Sequence, residues 1–201
     1  FADDTRAMTD AVVGLGAAVT ADPDSRTLAV RGGGAPAPGA VIDARQSGTT
    51  SRFVLPAAAL FGTRTIVDGA PQLRARPFGP VLDALRQLGA TVEGLGERDM
   101  LPAAVSGPMR GGPVRVSGHI SSQFLSGLLM AAPLTRDGID VSLTSELVSV
   151  PYVEMTKAVM ASFGAPVDGL RVAPGGYRAT TYEIEPDASA ASYFLGAAAV
   201  A

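Results

Sequence analysis

Apolar positions return every three or four residues in three stretches of this chain, and the three stretches are alike. The first is Met8-Thr9-Asp10-Ala11-Val12-Val13-Gly14-Leu15-Gly16-Ala17. The second is Val81-Leu82-Asp83-Ala84-Leu85-Arg86-Gln87-Leu88-Gly89-Ala90. The third is Met155-Thr156-Lys157-Ala158-Val159-Met160-Ala161-Ser162-Phe163-Gly164-Ala165. Each predicts an amphipathic helix that stops at Leu/Phe-Gly-Ala and runs into a strand. Glycine just past the last periodic apolar residue is the expected stop, because the left-handed backbone needed there carries no Cβ penalty. Gly16, Gly89 and Gly164 lie 73 and 75 residues apart, so the pattern is an internal repeat.

A second kind of helix alternates with the first. It begins with small or hydroxyl residues at Gly48-Thr49-Thr50-Ser51, Ser121-Ser122-Gln123 and Ala188-Ser189-Ala190. It continues almost wholly apolar, which predicts a buried helix. Strand candidates lie at residues 64–67, 114–116, 139–143 and 182–184. The Gly- and Pro-rich stretches 32–39 and 107–113 predict surface turns. The unit reads as α-β-α-β-β, an α/β fold in which outer helices and strands surround buried helices. The third buried helix starts at Asp187. The chain opens without methionine and stops within an apolar helical run, so it reads as an excerpt of a longer protein.

Composition narrows the function classes. The 201 residues are 47% hydrophobic and 17% charged, enough for a real core. A net charge of −3 argues against a duplex-coating nucleic-acid binder. Zero cysteines exclude disulfides, thiol nucleophiles and zinc-thiolate sites. The lone His119 excludes a multi-histidine metal centre in this chain. No apolar run reaches the roughly 18 residues of a membrane span, and no signal peptide is visible. A cytoplasmic globular protein is the expectation. Of the 16 basic residues all but Lys157 are arginine, which with abundant Ala and Gly reads as coding bias before function.

Candidate chemistry concentrates where the buried helices begin. A helix N-terminus presents unpaired N–H groups and positive dipole, which suits phosphate or carboxylate. Gly48-Thr49-Thr50 leaves backbone open to close approach, and Ser121-Ser122-Gln123 adds two hydroxyls and an amide. The plain alternative is N-capping, and the two are compatible. Arg74-Ala75-Arg76-Pro77 precedes an outer helix, with Pro77 suited to its first position and arginines suited to bidentate anion recognition. The plain alternative is surface arginine. Arg52 falls within an apolar helix and needs a partner, for which Asp187 at the third helix start is a candidate. His119 without a visible partner reads as incidental, and Asp3-Asp4 as acids at a helix start.

Six motifs occur in order: Asp3-Asp4-Thr5-Arg6, Ser47-Gly48-Thr49-Thr50-Ser51-Arg52, Arg74-Ala75-Arg76-Pro77-Phe78, Ser121-Ser122-Gln123-Phe124-Leu125-Ser126, Ser149-Val150-Pro151-Tyr152 and Glu185-Pro186-Asp187-Ala188-Ser189. With them the chain resembles the 5-enolpyruvylshikimate-3-phosphate synthase (3-phosphoshikimate 1-carboxyvinyltransferase) family. The resemblance implies an inverse α/β barrel of two domains. Residues 1–186 would be the N-terminal domain without its opening segment, and residues 187–201 the start of the helix leading onward. It implies enolpyruvyl transfer from phosphoenolpyruvate to the 5-hydroxyl of shikimate 3-phosphate, with no metal or organic cofactor and with closure of the two domains.

By position, the resemblance assigns Ser121, Ser122, Gln123, Ser149 and Tyr152 to shikimate 3-phosphate. It assigns Gly48, Arg76 and Gln123 to phosphoenolpyruvate. Arg52 and Asp187 would be a structural pair, and no proton-transfer residue is implied in this half, so the excerpt is expected to be inactive alone. Glyphosate would compete for the phosphoenolpyruvate place beside Gly48. Val150 stands where many family members have Lys, and Gln46 where Asn is common. The alternatives are UDP-N-acetylglucosamine enolpyruvyl transferase and a non-catalytic module that only holds shikimate 3-phosphate. Against the first stand the Ser-Ser-Gln run and the absence of cysteine.

Overall fold

The three predicted outer helices end where their glycines stand. In the computed structural model, α1 (Asp3–Gly14), α4 (Gly79–Gln87) and α6 (Val150–Ser162) run out at Leu15, Leu88 and Phe163. The next residues, Gly16, Gly89 and Gly164, have φ of 98°, 91° and 79°. The structure describes all residues except Phe1, Pro23, Asp99, Ile120, Pro186, Asp187 and Ala201, and the side chains of residues 188–190.

Two of the predicted buried helices are buried. They are α2 (Gly48–Ala58) and α5 (Ser122–Ala131), and they pack against each other. Pro56 in α2 has no N–H to offer the Arg52 carbonyl one turn earlier. Gly127 of α5 passes that same carbonyl so closely that a Cβ there would lie 2.8 Å from it. The α2–α5 contact thus depends on an apolar body and on one residue without a side chain. Leu55, Leu125, Leu128 and Leu129 fill the space between the helices and the sheets.

The strands form two four-stranded sheets with the same topology. One contains β3 (Val41–Asp43), β4 (Thr65–Asp68), β5 (Thr91–Gly94) and β6 (Ala103–Ser106), in the order β3-β4-β6-β5. The other contains β7 (Gly112–Val116), β8 (Ile139–Leu143), β9 (Val167–Asp168) and β10 (Arg171–Val172), in the order β7-β8-β10-β9. In each, the strands flanking the buried helix pair in parallel and the other pairings are antiparallel. An antiparallel hairpin, β1 (Ala18–Asp22) with β2 (Thr27–Arg31), follows α1 and belongs to a third copy. The repeated unit is therefore β-α-β-α-β-β, one strand longer than expected. The strand that opens each unit, β3 or β7, aims the buried helix; β7 covers the strand candidate at residues 114–116, and β3 was not anticipated.

Several expectations change. Residues 182–184 form no strand. In both complete copies the corresponding strand pairs with the strand after its buried helix. Helix α7 (Ala188–Val200), expected as the third buried helix, is exposed: Tyr193, Phe194 and Leu195 are 81%, 79% and 71% accessible. Residues 107–113 are not all surface turn. Met109 is buried and Gly112 starts β7. Pro77 does not open a helix. A separate short helix, α3 (Pro71–Arg74), precedes it, and α4 begins at Gly79 with Pro80 in its first turn. Among the described residues the sheets do not close into a barrel.

Candidate anion-binding site

Each parallel strand pair delivers two helix starts to the same edge of its sheet. β3 leads into α2 and β4 into α3; β7 leads into α5 and β8 into α6. The carboxyl ends of parallel strands are where α/β folds commonly bind ligands, because successive N–H groups open there. Packing of α2 on α5 then joins the two edges.

Gln123 makes that join. Its Nε2 donates to Thr49 Oγ1 at 2.9 Å, and its Oε1 accepts from Arg52 Nη1. Thr49 and Arg52 belong to α2, Gln123 to α5. The Arg52 guanidinium also lies over the Phe124 ring, 4.9 Å from its centroid, an attractive arrangement for a cation. Phe124 in turn meets Phe78 edge-on at 5.8 Å.

Arg76 reaches the same place from the loop after α3. A Cβ built on Gly48 would lie 2.8 Å from Arg76 Nη1 and 3.2 Å from Arg52 Nη1. Two guanidinium groups therefore converge on the uncovered first residue of α2. Arg52 is held below its ordinary pKa, first by burial and then by the charge of Arg76. Its Nε is buried and has no hydrogen-bond partner in the described structure. Among the described residues no carboxylate lies within ion-pair distance of either arginine. Like charges that approach each other at the positive end of a helix form a site that favours an anion.

The other predicted residues divide. Ser121 caps α5, its Oγ accepting from the Gln123 N–H at 3.3 Å, while Ser122 is buried in the first turn. Ser47 caps α2 by accepting from the Thr50 N–H at 3.2 Å. Ser149 precedes α6 with φ 58°, a strained setting for a residue with a side chain, and its hydroxyl does not cap the helix. Tyr152 and Val150 are exposed on the first turn of α6. The α6 start is tied to the α5 approach through Val148 N–H to Gly118 O at 3.1 Å. Lower down, Ser126 and Thr156 share a hydrogen bond of 2.7 Å. Among the described residues, neither Ser149 nor Tyr152 hydrogen-bonds through its side chain to Ser121, Ser122 or Gln123. Asp187, expected opposite Arg52, lies outside the described residues; within them the acceptor for Arg52 is Gln123. His119 is exposed and engages through its backbone N–H, which donates to Ser145 Oγ at 3.2 Å.

Two interactions were not expected. Arg74, read together with Arg76 as an anion ligand, instead grips Asp68 through Nε (2.8 Å) and Nη2 (2.6 Å). Arg45 bridges Asp3 and Asp10 of α1 at 2.7 Å each, which gives Asp3 a partner beyond the helix dipole. Each pairing joins side chains whose sequence separation carries no helical or strand periodicity, so no pattern announces it.

The geometry defines a class: a repeated α/β scaffold with two arginines and open helix starts, a candidate anion site, on the carboxyl side of parallel strands. A family model described as EPSP synthase (3-phosphoshikimate 1-carboxyvinyltransferase) matches residues 1–201, and the chain belongs to that family. A 3-phosphoshikimate 1-carboxyvinyltransferase of Halobacterium salinarum is 42% identical over 205 residues, covering 98% of this chain and 48% of the relative. One from Methanothermobacter thermautotrophicus is 42% identical over 207 residues, covering 100% and 48%. The chain thus spans about half the length of these relatives. The EPSP synthase structure from Acinetobacter baumannii superposes with a TM-score of 0.75 at 22% identity, covering 97% of this chain and 44% of that one, a likeness of fold. No helix of the described residues is long and apolar enough to cross a membrane.

Proposed function

We propose that this chain is the acceptor-binding half of a cytoplasmic 3-phosphoshikimate 1-carboxyvinyltransferase with the inverse α/β barrel of its family. The remainder of that protein would supply the second domain. The observation that carries the reading is the convergence of Arg52 and Arg76 over Gly48, joined through Gln123 to the Ser121-Ser122 helix start. Two anionic substrates are thereby given adjacent places.

On this reading the α5 and α6 starts hold shikimate 3-phosphate through Ser121, Ser122, Ser149 and Tyr152. Phosphoenolpyruvate lies over Gly48 against Arg76, and Gln123 faces both. The reaction joins the 5-hydroxyl oxygen to C2 of phosphoenolpyruvate as the hydroxyl gives up its proton and C3 takes one. Phosphate then leaves C2 and C3 gives a proton up, which restores the carbon–carbon double bond, now as an enol ether. The side chains of this half bind and orient. Proton transfer needs an acid or base within hydrogen-bond reach, and no described carboxylate lies beside the two arginines. The relatives named above and the Ser-Ser-Gln run favour a shikimate acceptor over a nucleotide-sugar one.

Calorimetric titration of the chain with shikimate 3-phosphate, then with phosphoenolpyruvate, tests the reading. Saturable binding lost in Ser121→Ala/Ser122→Ala, with no phosphate released, is expected. Absence of binding both here and in the full-length protein would overturn the assignment. Phosphate release by the 201-residue chain alone would overturn the division of labour.

A further inference from the structure

Arg76 is carried by a segment with little packing of its own. The α3 helix is four residues long, and only Leu73 of it is buried. On one side it borders a cavity of about 580 Å³ lined by Arg74, Leu95, Glu97, Met100 and Pro102. On the other side Asp68, the last residue of β4, meets it. The Asp68 carboxylate accepts from Arg74 Nε and Nη2 and from the Gly69 N–H, the last at 2.7 Å. This is a two-point fork with fixed geometry, which a single point charge would not reproduce. Burial alone would raise the Asp68 pKa; the hydrogen bonds from Arg74 and Gly69 outweigh it and hold the group below its usual value.

The backbone around the fork is tied to the α2 start. Ala44 N–H donates to Asp68 O at 2.9 Å, and Ala70 N–H to Arg45 O at 2.6 Å. The loop carrying Gly48 and the loop carrying Arg76 are thus laced together at the ends of β3 and β4. Past the fork, Arg76 N–H donates to Leu73 O at 3.0 Å, and Phe78 is buried against Phe124. Arg76 hangs between the fork and this aromatic anchor. The anchor is fixed by packing, whereas Arg74 has open space beside it and, among the described residues, takes its direction from its hydrogen bonds to Asp68, with Asp43 adding a weaker attraction.

We propose that Asp68 is a positioning residue: through Arg74 it fixes the α3 turn and so holds the Arg76 guanidinium over Gly48, setting affinity for the anion bound there. The proposal rests on the reading that Arg76 contacts phosphoenolpyruvate. Asp68 itself touches no substrate.

The test uses the full-length enzyme and steady-state kinetics for both substrates. Asp68→Asn keeps the shape and removes the charge; Arg74→Lys keeps the charge and removes the fork. Each is expected to raise KM for phosphoenolpyruvate roughly tenfold, the scale of a small misplacement of a binding group. KM for shikimate 3-phosphate and kcat should stay within about twofold. Arg76→Ala should raise the same KM at least as far, and Asp68→Asn added to it should change nothing more, because the two act in series. Effects that multiply in the double variant would overturn the proposal. So would a rise in both KM values together with a lowered Tm, the mark of general loosening. If Arg76→Ala leaves KM for phosphoenolpyruvate unchanged, the assignment of Arg76 fails, and the proposal with it. If Arg76→Ala raises KM but neither Asp68→Asn nor Arg74→Lys does, the assignment stands and only the positioning role is refuted.

Discussion

Gly48→Ala places one methyl group where two cations meet. Gly48 is the first residue of α2, and alanine is the better helix former, so the backbone has no reason to object. The new Cβ would lie 2.8 Å from Arg76 Nη1 and 3.2 Å from Arg52 Nη1. Both are ends of flexible side chains, so the strain relaxes by side-chain motion. Reaching ordinary van der Waals contact at 3.4 Å requires Arg76 Nη1 to retreat by about 0.6 Å. With phosphoenolpyruvate against Arg76 as proposed, that retreat would lengthen a charge-assisted hydrogen bond beyond its useful range, and such bonds contribute about 1.5–3 kcal/mol. Loss of half that amount weakens anion binding by about three- to twelvefold, since each 1.4 kcal/mol is a factor of ten. Stability, by contrast, should stay within about 0.5 kcal/mol of the parent. The assay is KM for phosphoenolpyruvate and inhibition by glyphosate in the full-length enzyme, with Tm measured alongside. The expected result is weaker inhibition, a raised KM and an unchanged Tm. Equal inhibition and equal KM in the two forms would refute the geometric argument. A fall in Tm of several degrees would show instead that the methyl group disturbs the helix start.

Two further predictions follow from other groups. Gln123→Glu puts a carboxylate against Arg52 and near Arg76, so it should raise Tm by about 2–4 °C while cutting anion affinity at least tenfold by occupying the positive site; a lower Tm with unchanged affinity, measured by calorimetry, would contradict it. Tyr177 donates to the Met130 carbonyl at 2.7 Å, and burial raises its pKa from 10.0 to about 12. Its neutral form is favoured by the fold, so its contribution is whole below the unfolded pKa of about 10 and is lost as pH rises through about 12. Absorbance titration at alkaline pH should show a late ionisation step that disappears in Tyr177→Phe.

The outer helices were legible because burial on one face writes a period of 3.6 and a glycine stop ends it at Gly16, Gly89 and Gly164. The helix starts at Gly48 and Ser121 were legible through their caps and through the apolar run behind them. Strands β2, β3, β6 and β10 were not legible as separate elements, and two of them show why. Val41-Ile42-Asp43 is too short for alternation, and Ala103-Ala104-Val105 is buried nearly throughout and shows no polar side. Residue chemistry alone does not separate Arg74 from Arg76, and it is the family resemblance that singles out Arg76. The position of Asp68 at the end of β4 engages Arg74, while Arg76 points to Gly48. Arg52 is expected from its apolar helix to need a partner, and the expected one, Asp187, lies outside the described residues. The described acceptor for Arg52, Gln123, sits 71 residues away on the neighbouring helix and becomes adjacent only through the α2–α5 packing.

The single amide of Gln123 has one end on Thr49 and the other on Arg52, yet its backbone belongs to the other helix. The two helix tips consequently do not have separate energetics. An anion that draws Arg52 away frees the amide oxygen, and a ligand at the Ser121 end that recruits the amide leaves the guanidinium in need of a new acceptor. Each event changes the work required for the other. Thermodynamic reciprocity then fixes the ratio: whatever factor the first ligand applies to the second, the second applies to the first. Coupling between the two places is thus built into one side chain, and its strength is readable as the difference between affinities measured with the neighbouring place empty and filled.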